Sequence, residues 1–242
     1  MKVIDKSSKI PLYLQLMDIL IDKINKGLKE NDRLLSEREI CDIYDVSRTT
    51  VRQALDELER DGYIYKLHGK GTFVAPKRVN QDLVSFYSFT NEMKKIGKEP
   101  SSQIINFEIV EAGEKISNKF NIKAEELLYK LVRVRKADNV PMMYEVTYLP
   151  FERFYELSKE KLEGKAMYDV LKEEYNANLT FAEEYFEPIL TNKLESIYLE
   201  IHEGAPSLKI ERYTYESKRL IEYTVSIVRG DKFKYRVQLN NN

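Results

Sequence analysis

Apolar residues recur at helical spacing in three runs within the first 75 positions. Leu12, Leu16, Ile19, Leu20 and Ile24 form one stripe, so residues 11–26 read as an amphipathic helix entered at Pro11 and ended near Gly27. Ser36-Glu37-Arg38-Glu39 places Ser at a cap and Glu three later, which predicts a second helix with Ile40, Ile43 and Tyr44 turned inward and Cys41 beside them. Asp45-Val46 makes a short turn. Ser47 then caps a third helix carrying Val51, Ala54, Leu55 and Leu58 at helical spacing. Beyond Gly62 the pattern changes to that of strands. Residues 63–67 read as one strand, His68-Gly69-Lys70-Gly71 as a tight turn, and Thr72-Phe73-Val74 as the returning strand.

Residues 76–83 are polar, contain Pro76 and break the strand pattern, so they read as a linker between a domain at 1–75 and a larger one at 84–242. The larger part alternates as strands at 103–111, 127–136, 142–149, 181–190, 207–216, 220–229 and 232–239. Helical runs fall at 88–97, 114–121, 165–175 and 192–200. Asp138-Asn139-Val140-Pro141 and Glu216-Ser217-Lys218-Arg219 are hairpin turns. Strands joined by short turns predict an antiparallel sheet, with the last three strands as a meander. The fold class is therefore α+β: a winged helix-turn-helix followed by an antiparallel-sheet domain with helices.

Net charge adds a constraint. At −1 over 242 residues, the chain is no polycation, and any nucleic-acid contact must come from local patches. A hydrophobic fraction of 43% supports ordinary cores. One cysteine, Cys41, excludes an internal disulfide and reads as a structural thiol. There is no membrane-spanning run and no signal-peptide pattern, so the expectation is a cytoplasmic protein. The two histidines, His68 and His202, and the lack of Cys/His spacing predict neither a metal nor a cofactor.

Two short helices joined by a tight turn, the second bearing Arg48, Thr49, Arg52 and Gln53 near its start, suit the DNA major groove, where arginine binds guanine bidentately. A hairpin tip of Gly69, Lys70 and Gly71 suits a minor groove and its phosphates. The bland alternative is a pair of packed helices with solvated arginines beside a plain hairpin. The segments Pro11-Leu12-Tyr13, Ser36-Glu37-Arg38-Glu39, Ser47 to Leu55 and Gly69 to Val74 resemble the DNA-binding domain of GntR-family bacterial transcription regulators. That resemblance implies that Arg38, Arg48, Thr50, Arg52 and Gly69 face DNA, and Lys70 joins them at the wing tip.

In the second half, Arg133 and Arg135 lie two apart on a strand, so both point to one face, roughly 7 Å apart, where two guanidiniums can hold a phosphate or carboxylate. Ser88 and Thr90 open a helix whose amides and dipole favour an anion. Ion pairing is the alternative for the arginines, and the hairpin around 138–141 brings Glu145 toward Arg133. Glu222, Thr224, Ser226 and Val228 share one face of a late strand. Ser88-Phe89-Thr90, Gly97, Pro100, Arg133-Val134-Arg135, Pro141, Glu145, Pro150-Phe151, Tyr168, Glu222 and Arg229-Gly230-Asp231 resemble the UTRA effector domain of the HutC-type subgroup. This implies a chorismate lyase-like fold acting as a sensor without catalysis. It also implies an effector site of Ser88, Phe89, Thr90, Arg133, Arg135, Glu145, Tyr168 and Glu222. Ala166 stands where phosphosugar-sensing relatives carry serine, and Val228 where they carry tyrosine; Lys165 is expected to supply compensating charge.

The expected function is a DNA-binding transcriptional regulator, a repressor, whose operator affinity a small phosphorylated metabolite controls. The overall resemblance points to repressors answering N-acetylglucosamine 6-phosphate or glucosamine 6-phosphate. A homodimer on a palindromic operator fits the limited affinity of one small module. The rival is a lyase-like or sugar-phosphate-processing enzyme fused to a DNA anchor, with Glu145 and Glu222 as an acid/base pair. Against it stands the absence of a nucleophile elbow, a metal pattern or a phosphate-cradling Gly-rich loop.

Overall fold

The computed structural model describes residues 4–239 except 68, 77, 84 and 85, so His68 at the wing lies outside the described residues. The chain divides into two compact units, Met1–Arg78 and Val79–Asn242.

In the first unit, α1 (Leu12–Gly27), α2 (Glu37–Tyr44) and α3 (Arg48–Arg60) enclose Leu16, Leu20, Ile40, Val51, Ala54 and Leu58. The capping box at the head of α2 forms in full: Ser36 Oγ accepts from Glu39 N–H, and Glu39 Oε2 accepts from Ser36 N–H at 2.8 Å. The Ser36 hydroxyl also donates to Glu39 Oε2 at 2.7 Å, and this bond, with the one from Ser36 N–H, holds the Glu39 carboxyl below its usual range. Asp45 ends α2 in the left-handed conformation, and Ser47 caps α3 by accepting from Thr50 N–H. Cys41 is half-buried against this core. Strands β1 (Ile64–Leu67) and β2 (Gly71–Val74) pair antiparallel as the wing. Residues 31–34 add to its edge, Leu34 N–H donating to Thr72 and Asn31 N–H to Val74. Gly71, at φ +118°, has a backbone conformation closed to other residues, and a Cβ there would meet the Arg33 guanidinium at 3.1 Å.

The second unit is a six-stranded antiparallel sheet in the order β4-β5-β6-β9-β8-β7. Its strands are β4 (Pro100–Glu111), β5 (Leu127–Ala137), β6 (Val140–Pro150), β7 (Phe181–Leu190), β8 (Pro206–Glu216) and β9 (Arg219–Arg229). One face carries α4 (Phe89–Lys95), α6 (Lys159–Leu162) and α7 (Met167–Tyr175); α5 (Gly113–Phe120) packs against β9 beside Tyr223, and α8 (Lys193–Leu199) packs against β6. Leu131, Leu149, Phe154 and Leu171 are fully buried, each stabilising the unit by about 1.5–3 kcal/mol. No helix among the described residues is long and apolar enough to cross a membrane.

Two expectations need correction. The segment read as linker, 76–83, contains a strand: β3 (Val79–Asp82) pairs in parallel with β10 (Phe233–Arg236). Val79 is buried against Phe89, Met93 and Phe233, and this packing outweighs the polar composition of its neighbours. The meander of the last three strands also fails. β9 is flanked by β6 and β8, so no edge remains for β10. The chain leaves the sheet at Gly230, where a Cβ would sit 2.6 Å from the Pro206 carbonyl oxygen.

Both hairpins that build the centre of the sheet contain an extra residue next to the turn. Lys136 pairs with Pro141 but Arg135 with Met143, which leaves Met142 over; Tyr215 pairs with Leu220 but Thr214 with Glu222, which leaves Ile221 over. These bulges move the register by one, and both extra side chains are buried.

Candidate effector pocket and DNA-facing surface

The register carries polar residues across one sheet face in rows. Arg135, Met143, Val228 and Leu208 form the first, and Arg133, Glu145, Ser226 and Ile210 the second. Leu131, Thr147, Thr224, Arg212 and Glu184 form the third, and Glu222 with Thr214 the last. Between the α4 and α7 layers over this face lies a pocket with about 60 Å³ of free space. The starts of both helices reach it through Ser88, Phe89 and Thr90 and through Ala166, Met167 and Tyr168. Gln81 of β3 and Phe233 and Tyr235 of β10 complete its wall.

Arg133 and Arg135 share one carboxylate. Arg133 Nη2 lies 2.9 Å and Arg135 Nη1 3.5 Å from Glu145 Oε2. Arg135 also donates to Thr90 Oγ1 at 2.8 Å and lies over the Phe89 ring. The Nε–H of each arginine is buried without an acceptor. Burial pushes the Arg135 guanidinium down to about 10, with Arg133 adding repulsion. Burial alone would raise Glu145, but the two arginines hold its carboxyl below the usual value. Two cations against one anion, with two free donors, describe an anion-accepting corner.

The other end of the pocket is carboxylate. Glu222 accepts from the Tyr168 hydroxyl and from Thr224 Oγ1, both at 2.7 Å, with no ion pair among the described residues. Four residues along β9 separate it from Ser226 in the Arg133 row, about 13 Å of strand. Burial pushes the Tyr168 hydroxyl up, and the Glu222 charge adds to this.

The pocket thus gathers Ser88, Phe89, Thr90, Arg133, Arg135, Glu145, Tyr168 and Glu222. Lys165 is not among them: it is exposed, with its ammonium 3.3 Å from Glu173, because α7 begins after it and turns it to the solvent side. Val228 is buried in the apolar cluster around Met93 rather than on the pocket wall. Ser88 Oγ is used in capping α4, where it accepts from Asn91 N–H. Sequence reasoning missed Tyr87, Glu184 and Arg212. Arg212 Nε donates to Glu184 at 2.7 Å, and its Nη1 to the Tyr87 carbonyl at 3.0 Å and the Tyr168 hydroxyl at 3.2 Å.

In the first unit, Arg38 at the start of α2 and Arg48 and Arg52 on α3 are exposed. Arg52 Nε is 3.0 Å from Glu37, and Arg38 is 3.9 Å from Asp42; Arg48 has no ion pair among the described residues. Thr50 Oγ1 is 2.9 Å from Ser47 Oγ, so its hydroxyl is shared with the cap. Gly69 and Lys70 are exposed at the wing turn.

Comparison with known proteins agrees on both units. The family model described as bacterial regulatory proteins, gntR family, matches residues 12–74, and the UTRA domain model matches residues 95–234. The HTH-type transcriptional repressor NagR of Bacillus subtilis is 34% identical over 234 residues, 96% of each chain. The mannosyl-D-glycerate transport/metabolism system repressor MngR of Escherichia coli is 28% identical, over 93% of this chain and 94% of its own. The crystal structure of PhnF from Mycobacterium smegmatis superposes with a TM-score of 0.68 at 25% identity, covering 94% of this chain and all of that one.

Proposed function

The chain belongs to the gntR family of bacterial regulatory proteins, with a UTRA domain as its second unit, and from that premise we propose that it is a cytoplasmic repressor released or engaged by a small phosphorylated metabolite. One observation carries the effector half of this reading: two buried guanidiniums share a single carboxylate and keep their Nε–H groups unused. An isolated pair of cations is costly to bury, and a dianionic phosphoryl group supplies both the charge and the acceptors. Thr90 and the start of α4 lie beside that corner. Glu222 and Glu145 accept hydroxyls of the ligand body, and the span between the two ends suits a hexose phosphate. Relatives named as repressors of a mannosyl-D-glycerate system and of a fructoselysine operon support a sugar-derived ligand. An amino-sugar phosphate is the ligand proposed here.

On the DNA side, Arg48 and Arg52 read base edges in the major groove. Arg38, Thr50, Gly69 and Lys70 contact backbone, and the wing enters the minor groove. The second unit carries a homodimer interface that pairs two such modules on a palindromic operator. The test is a thermal-shift screen against sugar phosphates, their unphosphorylated parents and inorganic phosphate. A ligand at a hundred times its dissociation constant adds about 2.7 kcal/mol. Stabilisation confined to phosphorylated sugars is the expected result; stabilisation by none of them overturns the effector reading.

A further inference from the structure

Three arginines enter the pocket, and they are wired differently. Arg133 and Arg135 keep free donors. Arg212 has its own carboxylate, Glu184, and no buried donor left without an acceptor among the described residues. Its side chain is 13% exposed, lies 4.3 Å from the centre of the Tyr87 ring and stacks over Phe86 as well. Such a group is not set up to take a ligand anion. It is set up to hold other protein groups in place.

Arg212 holds two of them with one nitrogen. Nη1 donates both to the Tyr87 carbonyl and to the Tyr168 hydroxyl, and that hydroxyl donates onward to Glu222 in the pocket. Tyr87 is therefore gripped twice, since its own hydroxyl donates to Glu184 at 2.7 Å. Tyr87 also has a particular place in the chain. It directly precedes the Ser88 cap of α4 and lies on the stretch that starts at Val79, the first residue after the DNA-binding unit.

We propose that Arg212 is a positioning residue that transmits pocket occupancy to Tyr87 and the Ser88 cap of α4 by dividing its hydrogen bonding between Tyr168 and Tyr87. This inference rests on the effector reading above. The free space of the pocket is bordered at Glu222 by the Tyr168 hydroxyl and Thr224 Oγ1, so a ligand that reaches this carboxylate meets both. A ligand hydroxyl that takes Glu222 changes what the Tyr168 hydroxyl donates to. Arg212 Nη1 then shifts between its two acceptors, and the tie on the Tyr87 carbonyl changes with it. The ligand's preference for one arrangement of Tyr87 and the α4 cap is the differential affinity that coupling requires.

The experiment separates ligand affinity from ligand response. The full chain and the variants Arg212→Lys and Tyr87→Phe are titrated with N-acetylglucosamine 6-phosphate by calorimetry without DNA. Operator affinity is then measured with and without that probe by fluorescence anisotropy. A lysine keeps the charge beside Glu184 but cannot span three acceptors; Tyr87→Phe removes one hydroxyl and no charge, so the test survives if the lysine variant fails to fold. The expected result is that the probe-induced change in operator affinity, on the order of 5–150-fold in coupled systems, collapses by far more than the probe's own affinity falls. Variants that respond like the wild type overturn the inference alone. So does a loss of response matched by an equal loss of probe affinity, which would make Arg212 a direct ligand contact. A wild-type chain whose operator affinity ignores the probe overturns the effector reading and this inference with it.

Discussion

In the first unit the arginines stand in water: the side chains of Arg38 and Arg52 are 85% and 68% exposed, and their carboxylate partners are themselves hydrated. In the second unit Arg133 and Arg135 are 5% and 8% exposed and share one buried carboxylate. The same side chain therefore does different work in each. An exposed guanidinium costs little to keep and gives up a weak ion pair when a phosphate or base edge arrives, so its contribution is screened by salt. A buried guanidinium has lost its water already. Its counter-charge is part of the fold, and any anion it later binds meets donors that are already in position.

The largest effect should come from breaking the buried side. Glu145→Ala leaves two buried cations without their carboxylate and should cost about 3–5 kcal/mol in urea unfolding, with inorganic phosphate restoring more stability to the variant than to the wild type. A loss near zero would mean that the two arginines are solvated. Next comes the exposed side. Arg48→Ala should leave stability nearly untouched and weaken operator binding by about 1–3 kcal/mol, with base preference relaxed in a competition assay. Glu37→Gln should be smaller still: freeing Arg52 from its 3.0 Å partner should change stability by less than about 1 kcal/mol and tighten DNA binding at low salt, a gain that fades as salt rises.

Arg153 sharpens the comparison because it lies between the extremes, 20% exposed and bonded through Nε and Nη2 to Glu216. The Arg153 bonds hold the Glu216 carboxyl down at about 2 against an ordinary 4.5. A carboxyl whose pKa falls on folding contributes stability that is complete above the ordinary value and is lost as pH drops through the folded value. Glu216→Gln should therefore flatten the acid limb of the stability curve between about 4.5 and 2 and leave neutral-pH DNA binding unchanged. An unaltered acid limb would place the pair in bulk water.

The sequence displayed the first unit more openly than the pocket. Ser36-Glu37-Arg38-Glu39 and Ser47 announce their caps locally, and each cap forms as the residues dictate. Alternation along β5 likewise put Arg133 and Arg135 on one face. Arg212 was hidden for a definable reason. Counting inward from the turn at 216–219 without a bulge places Arg212 opposite Tyr223, on the far face of the sheet; Ile221 shifts the register and brings it opposite Thr224. Lys165 misled in the other direction. It is adjacent in sequence to Ala166, but α7 starts only at Met167 and leaves it facing Glu173. β3 was masked by its polar composition, because its partner β10 lies some 150 residues away, a separation at which local pattern carries no signal.

Met142 and Ile221 have a consequence for how such a protein can change over generations. A substitution along the polar rows alters one contact at a time and leaves the frame standing, so selection can retune the pocket in small steps. A codon lost between either bulge and the rows beyond it is another matter. Loss of Val134 would set Arg133 across from Tyr144, and loss of Tyr213 would set Arg212 across from Tyr223, each turning half the pocket away from the other half in one event. The hairpins at 138–139 and 217–218 should therefore tolerate new letters far better than new lengths.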